Sequence, residues 1–184
     1  MPRNPQGQGG DGRGAGRREQ SFEESAEAGG LATVLFALLS VRPVLRAGGR
    51  TATIGSVLLA LSIYGVGDLL SPVEREACRL ADPGCTGSDQ LANLGGRLDS
   101  AISTAGILLF VAAAFVLAAA MKRAPGWQQW AGYARWTGIG FAVLLVVFVL
   151  GQAAGLGGLF ERLFAAAGSA AIAALALRIA RHRS

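Results

Sequence analysis

Histidine is almost missing from this chain: its one copy, His182, is the third residue from the C-terminus. The commonest general base and metal ligand is therefore absent from every apolar segment. Charge is also scarce, at 16% of 184 residues against about 25% in a soluble domain. Cysteine occurs twice, as Cys78 and Cys85 in one polar loop. Two thiols without histidine beside them do not make a zinc site. The sequence has no G-x-S-x-G, no H-E-x-x-H and no G-x-x-x-x-G-K, which removes the familiar nucleophile, zincin and phosphate-loop readings. The Gly-rich N-terminal stretch and the GLGG turn follow no strand, so neither is a nucleotide fingerprint. No cofactor and no metal is expected.

What the chain has in abundance is uncharged apolar sequence. Hydrophobic residues make up 52%, gathered in five segments at about 27–46, 51–70, 100–121, 132–152 and 158–179. Ser100 to Met121 is uncharged for 22 residues, long enough to cross a hydrocarbon core of ~30 Å at ~1.5 Å per residue. Soluble helices carry a polar face at period 3.6, and the third and fourth segments have no charged face at all. The expected fold is all-α: an integral membrane bundle of five transmembrane helices over 26–184, behind a disordered, Gly- and Arg-rich tail over 1–25. The tail has no apolar periodicity and does not read as a signal peptide. The first span carries a condition. Its uncharged stretch, Ala28 to Val41, has 14 residues, or ~21 Å of helix. It crosses only if Glu27, Arg42 and Arg46 reach out to the interfaces; otherwise it lies in the interface.

Charge distribution sets an expected orientation. Arg42, Arg46 and Arg50 follow the first span, Lys122, Arg123 and Arg135 follow the third, and Arg178, Arg181 and Arg183 end the chain. With five spans these acid-free groups share one side, which the positive-inside rule makes cytoplasmic. The net charge of +5 thus reads as topology and not as a nucleic-acid surface; no nucleic-acid partner is expected. The C-terminus is placed inside, and the Cys78–Cys85 loop outside, where disulfides persist. Pro83 and Gly84 favour a turn that closes such a bridge. The redox alternative lacks the C-x-x-C spacing.

Trp127, Trp130, Tyr133 and Trp136 recur every third residue at the entry to the fourth segment. They read as an interfacial anchor on one face of a helix start, with a headgroup- or ligand-binding platform as the alternative. On the opposite membrane face stand Asp68, Arg97, Asp99, Ser103, Gln152, Glu161 and Arg162. Asp99 and Glu161 are expected at helix N-termini, with Ser103 one turn below Asp99. These residues are either snorkelling, capping and pairing charges, or the lining of an outer-leaflet pocket for a lipid headgroup, ion or small substrate. Ala166, Ala170 and Ala174 beside Gly168, and Ala114 with Ala118, have the spacing of close helix packing within the bundle, or of a dimer face.

From Asp68 onward four elements carry a resemblance: DLLSP (Asp68 to Pro72), the cysteine-containing loop, RLDSAIS (Arg97 to Ser103) and GLFERL (Gly158 to Leu163). Together they resemble a bacterial membrane family catalogued as domain of unknown function 998, over most of 31–184. The resemblance implies a multi-pass fold and no established activity. It also marks two departures. Members usually have six helices, and this chain lacks the first; the family's usual His position is Asp99 here, so no metal or proton-transfer role built on that His transfers. The functional expectation is a structural or ligand- and lipid-binding membrane protein, with membrane lipids and a second membrane protein or copy as partners. The alternatives are a membrane-embedded enzyme using Asp68, Asp99, Ser103 and Glu161 on a lipid-like substrate, or a transporter subunit. Five spans without a discontinuous segment argue against an autonomous transporter.

Overall fold

The computed structural model describes residues 27–70, 78, 84–151 and 157–183. The tail over 1–25 and Gln152 lie outside the described residues. Five of its helices are long and apolar enough to cross a membrane, and no strand occurs among the described residues. They are α1 (Glu27–Val44), α2 (Arg50–Leu70), α4 (Leu94–Arg123), α5 (Gln128–Gly151) and α6 (Gly157–Arg183). A short α3 (Gly87–Gln90) precedes α4. The first span is therefore a helix of 18 residues, ~27 Å long. Two stripes four residues apart divide its surface. Leu31, Leu35 and Leu39 are exposed, while Ala37 and Val41, with Leu45 just beyond its end, are fully buried. In lipid, both faces are apolar; what separates them is contact with neighbouring helices, because helices associate there by packing and not by expelling water.

Helix α4 is the centre of the bundle and packs most extensively on α2 and α5. It begins at Leu94, one and a half turns before the expected Ser100, because the Asn93 side chain accepts a hydrogen bond from the Gly96 amide at 2.7 Å and starts the helix there. Asp99 is therefore in the second turn, and Glu161 is likewise past the first turn of α6. Neither caps a helix, which corrects the expectation placed on them. Helix α5 also begins early, at Gln128 instead of Gly132, directly behind the Pro125–Gly126 turn. Gly126 has φ +78°, a conformation glycine adopts without strain. At the opposite face, Thr86 and Asp89 cap α3 reciprocally. Thr86 donates to Asp89 Oδ2 through its amide at 3.1 Å and its hydroxyl at 2.6 Å, and these bonds hold the Asp89 carboxyl below the usual carboxylate range.

The second span is not continuous, contrary to the expectation. Regular α-helix ends at Ala60, Ser62 is extended (ψ 174°), and a π-turn over Ile63–Gly67 resumes the path to Leu70. Ser62 Oγ donates to the Leu59 carbonyl at 2.7 Å, the same oxygen that accepts the Ser62 amide at 3.3 Å, so the serine closes the end of the regular helix on itself. Gly106 of α4 lies against this break. A Cβ there would meet the Ile63 backbone nitrogen at 2.8 Å, closer than atoms pack.

Cys78 and Cys85 form a disulfide with their Cα atoms 6.0 Å apart. Closing so short a loop contributes roughly 2–3 kcal/mol in the chain-entropy model. Thermal unfolding of the detergent-solubilised protein is expected to shift downward in reductant. An unchanged midpoint, with both thiols confirmed free, would show that the bridge does not support the folded bundle.

Candidate functional site

The two halves of the bundle are filled differently. In the half nearer the disulfide loop, aromatic rings close the interior. Tyr64 and Phe110 meet edge to face at 4.9 Å, Phe110 and Phe141 lie 4.7 Å apart, and Phe164 continues the cluster at 5.8 Å from Phe141. Phe148 packs on Phe160 and Phe164. The Tyr64 hydroxyl donates to the Phe164 carbonyl at 2.5 Å, tying α2 to α6 across the cluster. Its ring fits because Gly168 has no side chain; a Cβ at Gly168 would overlap the ring.

In the half nearer the basic loops, the rings give way to alanine and a groove of about 450 Å³ opens. Phe110 and Leu59 form its deep end. Ala113, Ala114, Leu117 and Met121 of α4 form its floor, and Ala171, Ile172, Ala174 and Leu175 of α6 form one wall. The other wall is Trp130, Tyr133, Ala134, Trp136 and Thr137 of α5. Tyr133 and Trp136 are 67% and 71% exposed, and Ala174 is exposed as well. The groove thus opens sideways between α5 and α6, toward lipid in a bilayer. From Phe110 to Met121 it follows α4 for ~16 Å, about the depth of one leaflet.

Arg178 stands one turn beyond Leu175, at the basic end of this groove. Its guanidinium lies over the Trp127 ring at 5.5 Å and the Trp130 ring at 5.8 Å, within cation–π range. One terminal nitrogen donates to the Gly126 carbonyl at 3.2 Å, and Nε is buried without a hydrogen-bond partner. His182 meets Trp127 edge-on at 5.6 Å. Trp127 is 1% exposed, so the four-residue interfacial anchor divides. The Pro125–Gly126 turn places Trp127 before the helix and points it into the bundle, whereas Tyr133 and Trp136 remain at the surface.

Several polar residues of the other face make local contacts. Arg97 Nε donates to the Leu91 carbonyl at 3.1 Å. Ser103 donates to Asp99 one turn earlier at 3.5 Å, the outer limit of a hydrogen bond. Asp68 is half-buried beside Gly30, whose missing Cβ leaves room for it. Glu161 and Arg162 are exposed. Among the described residues, no three His, Cys, Asp or Glu side chains are grouped to hold a metal. The small-residue stripes also divide. Ala114 and Ala118 are buried, but Ala166, Ala170 and Ala174 are exposed and only Gly168 faces the bundle, so those three do not pack α6 onto its neighbours. Alanines at helix-packing spacing say nothing about whether the facing helix closes on them, which is why the groove was not legible in the sequence.

No curated protein and no solved structure matches the chain. A family model does, over residues 14–178 of the 184, which includes all of α1 to α5 and most of α6. The chain belongs to the family described as Protein of unknown function (DUF998).

Proposed function

We propose that this protein binds lipid, holding one hydrocarbon chain of a bilayer lipid in the groove between α4, α5 and α6. The observation that carries the reading is the groove itself. About 450 Å³ of apolar space lies within the ~300–1,000 Å³ of ligand sites, is one leaflet deep, and opens sideways. A helical membrane protein gains its stability from close packing, so an unfilled gap between three of its helices is costly unless something occupies it. The acid-free basic ends of the spans support, by the positive-inside rule, a cytoplasmic position for this half in a bacterial plasma membrane, with the disulfide loop on the other side. The enzyme reading draws on Asp68, Asp99, Ser103 and Glu161, none of which lines the groove.

Ala171→Phe places a ring in the groove from a half-buried position on α6. Native mass spectrometry of protein extracted in mild detergent is expected to show one retained lipid on the unsubstituted chain. The folded Ala171→Phe chain is expected to retain at least tenfold less. Equal retention by the two chains would place the lipid elsewhere, and no retention by either would remove the reading.

A further inference from the structure

The charge around the groove is one-sided. Between Ala28 and Gly67, between Ser100 and Phe160, and from Arg162 to the C-terminus there is no Asp or Glu. The basic end of the bundle carries Arg42, Arg46, Arg50, Lys122, Arg123, Arg135, Arg178, Arg181 and Arg183. Membrane topology accounts for exposed cations in such loops. It does not account for Arg178. A topogenic arginine needs only to remain in water, where its hydration is strongest. Arg178 is instead half-buried, inside the last turns of α6, with its guanidinium over two indole rings and bonded to the Gly126 carbonyl.

Both contacts restrain the side chain without neutralising it. Indole faces and a backbone carbonyl carry no formal charge, so neither contact supplies a counter-ion to the guanidinium. Arg123, at the end of α4, is likewise held by an uncharged partner: Nη1 donates to Thr51 Oγ1 at 3.0 Å. A planar guanidinium fixed in this way is preorganised for an oxyanion such as a phosphodiester, which it can take through two N–H donors. The position suits a headgroup, because Leu175 lines the groove and Arg178 is the next turn outward along the same helix. A lipid whose chain lies against Ile172 and Leu175 brings its phosphate to the level of Arg178.

We infer that the groove selects an anionic glycerophospholipid, with Arg178, shelved on Trp127 and Trp130, receiving the phosphate-bearing headgroup. The inference rests on the lipid-binding reading above and adds the headgroup to it. A zwitterionic lipid brings an ammonium group toward the same rim, where Arg178 repels it. An anionic lipid brings none.

The full chain, reconstituted in nanodiscs of equal parts phosphatidylglycerol and phosphatidylcholine with matched chains, provides the test. After transfer to detergent, native mass spectrometry reads which lipid remains. The unsubstituted protein is expected to retain phosphatidylglycerol over phosphatidylcholine by at least tenfold. Arg178→Gln is expected to bring that ratio near one while still retaining a lipid, and Arg178→Lys to keep part of it. Size-exclusion profile and helical circular dichroism establish that each variant is folded. Retention of one lipid without preference by the unsubstituted chain, which needs no variant, would overturn the headgroup assignment and leave the groove reading standing. A preference unchanged in folded Arg178→Gln would also overturn it. Loss of all lipid, with a second copy of the chain in its place, would overturn both.

Discussion

Gly168→Ala detaches α6 from the rest of the bundle. The added methyl would overlap the Tyr64 ring, and the ring has no room to retreat. It is wedged edge-on against Phe110 at 4.9 Å and Phe141 at 6.3 Å, and its hydroxyl is bonded to the Phe164 carbonyl. Relief comes only from moving the helix. That sacrifices the hydrogen bond, worth ~1 kcal/mol, along with the contacts of Phe164. Overpacking in a filled core costs roughly 1–3 kcal/mol, occasionally more, and the two together make ~3 kcal/mol a fair expectation. Limited proteolysis at the C-terminal arginines and thermal unfolding in detergent read the outcome. The decisive comparison is the double variant. Tyr64→Ala is destabilising alone, yet in the Gly168→Ala background it removes the obstacle, so the pair should be more stable than the sum of the single effects by over 1 kcal/mol, as neighbouring sites that share a clash are. Simple additivity would mean that the ring and Gly168 are not in contact.

Phe110→Ala is the second large effect, and it has two parts. Phe110 is 4% exposed, belongs to the aromatic cluster and ends the groove. Truncating it leaves a cavity. In a water-soluble core the cost is ~3–5 kcal/mol. Here the unfolded reference lies in lipid, the transfer contribution largely vanishes, and roughly 2 kcal/mol of lost packing remains. The second part concerns the ligand. Without the ring, the groove continues toward Tyr64 and Phe141, so the retained lipid should shift to a chain about four carbons longer, each residue of helix rising ~1.5 Å. The mass of the retained lipid measures this directly. A destabilised variant that keeps the same chain length would show that Phe110 supports the bundle but does not bound the groove.

The legibility of the chain is uneven for physical reasons. Hydrocarbon thickness imposes a length on each span, and a run such as Ser100 to Met121 meets it in plain view. The start of α4 was hidden because Arg97 and Asp99 read as a polar connection, although Asn93 three residues before Gly96 was an available capping signal. The break at Ser62 has no proline to announce it; serine is common inside membrane helices, and only the paired Gly65 and Gly67 hint at irregular backbone. The burial of Trp127 depends on one turn. Counting in threes put it on the face of Trp130 and Trp136, but the helix starts one residue after it. Asp68, Asp99 and Glu161 stand out in the sequence because charge near lipid is costly. The groove lies in the other half of the bundle, where the signal is a shortage of side-chain volume, and single sequences record volume poorly.

With the orientation proposed above, in which the disulfide loop lies outside the cytoplasm, the Cys78–Cys85 bridge also acts as a record of insertion. A chain threaded in the opposite sense would leave this loop in a reducing compartment, bathed by glutathione and thioredoxin, and would mature with two thiols. Each properly delivered molecule therefore carries a permanent chemical mark of its history, and a misrouted one carries a pair of reactive handles. Labelling denatured membranes with a maleimide would count the wrongly threaded fraction molecule by molecule, with no fusion tag to disturb a topology that depends on so few charges.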